Sequence, residues 1–140
     1  MKTTTMKLKC IVRVKPKGDD EQSGIQNFNS THINVDNQQF GPFTSVIGPQ
    51  DTQSETFERV MGPLIESFNS GINATVFMYG QTGSGKTHSL FGPPKFFNYN
   101  QDAWGVCPRA IEKIIGKGQV TISVVEIYFD DCFDLLNSKV

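Results

Sequence analysis

Gly80-Gln81-Thr82-Gly83-Ser84-Gly85-Lys86-Thr87 is the stretch on which the fold turns. The octet fits G-x-x-x-x-G-K-[ST], the phosphate-binding P-loop. Its glycines let the backbone curl until successive N–H groups face phosphate oxygens. Lys86 brings a mobile cation to the β- and γ-phosphates, and the Thr87 hydroxyl can ligate the Mg²⁺ that bridges them. A glycine-rich turn that binds nothing is the competing reading, and the flanks argue against it. Before the loop, Asn73–Tyr79 is a nearly continuous apolar run, suited to a strand buried on both faces. After it, Lys86–Phe91 reads as a helix start that adds a positive dipole end, halted by Gly92-Pro93-Pro94. The loop specifies a nucleoside triphosphate but not what its energy is used for.

Working outward, Met6–Val14 alternates, with Leu8, Cys10, Val12 and Val14 on one face, which predicts a strand ended by Pro16 and Gly18. Ile25–Phe40 holds short apolar pairs broken at Asn29-Ser30 and Asp36-Asn37, the pattern of a small β-meander. In Thr52–Ser70, Phe57, Val60, Met61, Leu64, Ile65 and Phe68 recur at helical steps, and Thr52 with Glu55 forms a capping box. Gly62-Pro63 is expected to kink or divide that helix. Lys95–Asp102 reads as an exposed loop and Pro108–Ile115 as a further helix ended by Gly116. Val120–Phe129 is a β-rich run whose apolar parity shifts at Val124-Val125, so it is either buried on both faces or bulged. This alternation of strands and helices points to α/β layering with a partly parallel sheet.

The 140 residues make one modest domain at most. Thirteen basic and fourteen acidic residues leave a net charge of -1, so no basic field marks a nucleic-acid or membrane-surface protein. Cys10, Cys107 and Cys132 are odd in number and form no C-x-x-C pair, which argues against a disulfide framework or zinc site and fits a reducing compartment. No apolar run is long enough to cross a bilayer, and the N-terminus has no signal-peptide apolar region, so cytoplasm is the expected location. Asp130-Asp131, after an apolar β run, can be read as the end of a Mg²⁺-binding strand or as two solvated acids closing a strand.

Together these motifs resemble the kinesin motor domain, in order and through nearly the whole chain. Tyr79–His88 is similar to that family's nucleotide loop, Gly48–Phe57 to the entry into its first large helix, and Asn69–Val76 to the connection into the loop strand. Gly105-Val106-Cys107-Pro108-Arg109 resembles its G-[IV]-x-P-R segment. Glu126-Ile127-Tyr128 with Asp134-Leu135-Leu136 resembles E-I-Y…D-L-L, and Arg13-Val14-Lys15-Pro16 resembles R-x-R-P.

The resemblance implies an α/β P-loop NTPase fold, a mixed and mostly parallel sheet flanked by helices, of which residues 1–140 are the N-terminal portion. It implies that Gly80, Gln81, Thr82, Gly83, Ser84, Gly85, Lys86 and Thr87 hold ATP and Mg²⁺, with Thr87 as metal ligand. Pro16 and His88 would lie against the adenine, with Arg13 and Lys15 nearby. The loop 92–103 would be the family's variable insertion, and the E-I-Y strand would not be its Mg²⁺-sensing strand, which removes that role from Asp130 and Asp131. The implied partner is tubulin, the implied activity microtubule-based movement driven by ATP hydrolysis, and the implied setting the microtubule cytoskeleton.

Three departures stand out. Lys15 occupies the place of the usual Arg and loses the planar fork. Thr44 stands for Asp and Ile47 for Phe in the F-D-x-V-F strand, changes read as packing drift. The switch patterns N-x-x-S-S-R and D-x-x-G-x-E do not occur, so no catalytic residue is expected within 1–140. That leaves open strand edges and exposed apolar faces as a further expectation, with weak nucleotide binding and instability of these residues in isolation. The rival readings are a P-loop phosphotransferase acting on a metabolite, and a truncated or degenerate fragment without motor activity.

Overall fold

The computed structural model describes residues 8–18, 24–93, 100–116 and 118–137. Two units divide the chain, Met1–Ala110 and Ile111–Val140. In the first, the alternating N-terminal run forms β1 (Ile11–Arg13); Met6 and Lys7, included in the expected strand, lie outside the described residues. Asn27 and Asn34 face each other in the meander β2 (Ile25–Phe28), β3 (Ile33–Val35) and β4 (Gln38–Phe40), an antiparallel sheet in the order β2-β3-β4. Its tight turn is Asp36-Asn37, both with positive φ (49° and 63°), as a two-residue hairpin requires. The chain then returns as β5 (Ser45–Ile47), parallel to β1 with Val12 opposite Val46. Thr44 extends this ladder with its side chain. Its amide donates to the Cys10 carbonyl (2.8 Å) while its hydroxyl oxygen accepts from the Cys10 amide (3.2 Å).

α1 (Gln53–Asn69) is one undivided helix of 17 residues, although Pro63 lies inside it. The capping box forms: the Glu55 amide donates to Thr52 Oγ1 (3.1 Å) and the Thr52 amide to Glu55 Oε2 (2.7 Å). The Thr52 amide, and with it the Thr52 hydroxyl (2.8 Å), donate to the Glu55 carboxylate and hold it below its usual range. Arg59 joins α1 to β5 and its exit, donating to the Val46 carbonyl (3.4 Å) and pairing with Asp51 (3.1 Å). From the stripe on α1, Phe57 is buried, and with Val14, Val46, Ile47 and Val106 it makes up the buried apolar residues of the described structure. Of the two outcomes expected at Gly62-Pro63, division does not occur, since α1 runs through the proline as a single helix.

α2 (Lys86–Leu90) follows the P-loop, and α3 (Val106–Ile114) begins two residues earlier than its sequence signal. Pro108 still falls in the first turn, where no helical N–H is needed. Between them, Gln101–Ala103 is a single 3-10 turn, and residues 94–99 of the expected loop lie outside the description.

Two β-type runs behave differently from their sequence. Residues 73–79 form no ladder with any described strand, and Phe77 and Tyr79 are 70% and 95% exposed. In the second unit, β6 (Val125–Tyr128) pairs only with β7 (Asp131–Asp134), antiparallel and in regular register. The expectation of a strand buried on both faces, or bulged, is overturned: all four β6 residues are exposed. A strand with one neighbour and no covering layer cannot bury either face.

Candidate functional site

The P-loop takes the curled form that its glycines permit. Gly80 has φ of 155°, and a Cβ there would sit 2.6 Å from Ser84 Oγ, so only glycine fits this close approach. Gly85 caps α2 in the left-handed region with φ of 93°. The Lys86 ammonium spans the loop, donating to the carbonyls of Gly80 (2.8 Å) and Gln81 (2.9 Å). An ammonium has three donors, so this grip leaves one for an anionic oxygen. Gln81, Thr82, Gly83 and Thr87 are exposed, while Ser84, Gly85 and Lys86 are half-buried. The Thr87 hydroxyl carries the hard oxygen that Mg²⁺ prefers. Among the described residues no cluster of three or more His, Cys, Asp or Glu could hold a metal by itself. The oxygen donor and glycine cradle fit a metal that arrives with phosphates.

Arg13 is drawn into this site from the end of β1. Its Nη1 donates to Gln53 Oε1 and to Ser89 Oγ, each at 2.9 Å, and Gln53 Nε2 donates to the His88 carbonyl at 2.9 Å. Burial lowers the Arg13 pKa, and the Asp51 carboxylate partly offsets that effect. His88 is pushed below the ordinary 6.5, first by partial desolvation and then by repulsion from Arg13. The imidazole itself is exposed, at the third residue of α2. Lys15 and Pro16 stand exposed just beyond β1, two and three residues past Arg13.

Two members of this arrangement escaped the reading of the sequence, Gln53 and Ser89. The available signal was weak: Gln53 is a polar residue directly after an N-cap, on the buried side of an amphipathic helix.

A family profile for the kinesin motor domain matches residues 2–140. The chain belongs to the kinesin motor-domain family. It is 34% identical over 149 residues to the kinesin-like protein KIN-12B of Arabidopsis thaliana, covering 93% of this chain and 11% of that one. It is also 34% identical over 155 residues to human kinesin-like protein KIF15, covering 94% and 11%. The chain thus spans about a tenth of the length of these curated relatives.

Among solved structures, that of a fast kinesin superposes with a TM-score of 0.78 at 28% identity, covering 92% of this chain and 40% of that chain. The Drosophila kinesin family member NOD, solved with AMPPNP, superposes with a TM-score of 0.74 at 26% identity, covering 96% and 50%. The same protein has been solved with ADP and divalent manganese. The mixed α/β fold of this chain is therefore that of part of a kinesin motor domain.

The other kinesin-like motifs acquire structural roles. Arg109, from G-V-C-P-R, donates through Nε to the Trp104 carbonyl (3.0 Å) and through Nη2 to those of Gln101 (2.6 Å) and Asp102 (3.1 Å). It thereby ties off the 3-10 turn ahead of α3. Burial raises the neighbouring Cys107 thiol pKa, which favours its protonated form. In the E-I-Y hairpin, Asp130 occupies the turn after Phe129, whose φ is 53°, and Asp131 opens β7 opposite Tyr128. Both acids are exposed hairpin residues.

Proposed function

We propose that residues 1–140 form the nucleotide-binding part of a microtubule motor whose ATP hydrolysis drives movement along the filament. The observation that carries this reading is Lys86, held across the mouth of a complete P-loop in a chain of the kinesin family. In this reading Gly80–Thr87 hold the triphosphate and Thr87 ligates Mg²⁺. Mg²⁺ held there by the Thr87 hydroxyl would offset the negative charge of the phosphates. Pro16 and His88 flank the adenine, with Arg13 and Lys15 nearby, and no residue of 1–140 acts on the attacking water.

Relatives support the nucleotide, divalent-metal and microtubule parts of this reading. NOD binds ADP with manganese and binds AMPPNP, and it has been docked with tubulin into a map of its microtubule complex. A cytoplasmic location on the microtubule cytoskeleton follows from the same reading. Because N-x-x-S-S-R and D-x-x-G-x-E do not occur in residues 1–140, these residues supply binding without efficient turnover.

The test is Lys86→Ala in the complete protein. Removing the loop cation is expected to weaken Mg·ATP binding by about a hundredfold, the scale of a desolvated charge-assisted contact. Unchanged affinity overturns the reading. Tubulin-stimulated ATPase identifies the motor, whereas phosphate transfer to a sugar or nucleoside identifies a phosphotransferase.

A further inference from the structure

Gln53 is one of two buried polar side chains in the described structure, only 7% exposed. Both ends of its amide are used. Oε1 accepts from Arg13 Nη1 and Nε2 donates to the His88 carbonyl, each at 2.9 Å. Three segments distant in sequence therefore meet at one side chain: the end of β1, the start of α1, and α2. Ser89 closes the figure, because its hydroxyl accepts from the same Arg13 nitrogen. A buried amide satisfied at both ends has one low-energy orientation, and losing either partner leaves a desolvated polar group behind.

The consequence falls on one side of the nucleotide site. Lys86, on the phosphate side, is held by the carbonyls of Gly80 and Gln81 and not by Gln53. Arg13 and His88 belong to the other side, where the base lies if the nucleotide reading above is right. Arg13 has one nitrogen committed to two protein acceptors, so it is fixed in place before any ligand arrives. We infer that Gln53 is a positioning residue for the nucleotide base, holding Arg13 and the His88 backbone at a set separation so that the base side is preformed. It touches no ligand itself. Its contribution is the ordering that would otherwise be lost on binding.

The experiment is Gln53→Met in the complete protein, which keeps the length and apolar packing of the side chain and removes both hydrogen bonds. KM for ATP is expected to rise about tenfold with kcat within about twofold, the scale of one hydrogen bond to a charged group. Inhibition by Mg·tripolyphosphate, which carries no base, is expected to stay unchanged. Gln53→Glu keeps an acceptor for Arg13 and loses the donor to His88, so the same split is expected at about threefold, and this variant carries the test should Gln53→Met fail to fold.

Equal weakening of ATP and tripolyphosphate, a fall in kcat alone, or no change overturns the inference. The two levels separate cleanly. Wild-type protein that binds no Mg·ATP removes the nucleotide reading and this inference with it. Wild-type protein that binds Mg·ATP, with both Gln53 variants unaltered, removes this inference alone.

Discussion

Two β-type segments of the first unit, alike in composition, end in opposite states. Val46 and Ile47 lie in β5, paired with β1 and tied to α1 through Arg59, and Ile47 is 0% exposed. Residues 73–79 are at least as apolar, yet they form no ladder and leave Tyr79 at 95% exposure. The difference lies in the neighbours. A strand buries itself only when another strand satisfies its amides and other side chains exclude water from its faces; β5 has a parallel partner, and its Val46 and Ile47 are buried. The hairpin β6–β7 repeats the lesson in the second unit: its amides are paired, but Ile127 and Phe129 remain largely exposed because no layer covers them.

The sharpest way to break this contrast is to damage each segment in turn. Ile47→Ala is expected to destabilise the protein by about 2–5 kcal/mol, the usual range for opening a cavity at a fully buried aliphatic residue. Tyr79→Ser in the same protein is expected to change stability by less than about 0.5 kcal/mol, as at other exposed positions. Urea unfolding followed by circular dichroism reads both, and equal losses contradict the contrast.

A smaller effect is expected at the cap of α1, the helix tied to β5 through Arg59. Thr52→Ala removes the acceptor for the Glu55 amide and should cost about 1 kcal/mol in the same assay. No loss would mean that α1 is held by its apolar face alone.

The smallest effect concerns how far the closed region reaches toward the phosphate loop. His88 lies at that margin, and its folded pKa is below its unfolded one. The unfolded chain therefore takes up the proton first as pH falls. The resulting stability is present above about 6.5 and is lost as pH drops from there through the folded value. An NMR titration should place the His88 midpoint below 6.5, and Arg13→Gln should raise it part of the way back. A midpoint at or above 6.5 in the wild type would show that solvent and charge at this position are not as the structure has them.

The P-loop could be recognised from eight residues because its geometry is local: glycine backbones, one ammonium and one hydroxyl lie within a single turn of chain. The Thr52–Glu55 cap and the Asp36-Asn37 hairpin were legible for the same reason. Gln53 and Ser89 were not, since their role is defined by Arg13, which is 40 and 76 residues away. The strand expected at 73–79 failed on similar grounds. Its apolar run states a capacity for burial, and whether that capacity is used depends on partners that a local pattern does not contain.

Sequence alone therefore determined the chemistry on offer at the phosphate loop, the helix caps and turns, and the family likeness, all of which depend on residue type at short spacing. Tertiary structure alone decided that Arg13 is braced by Gln53 and Ser89, that Pro63 leaves α1 undivided, and which apolar runs are covered. Those outcomes depend on desolvation and pairing between distant segments, and such free energies exist only once the chain has brought the segments together.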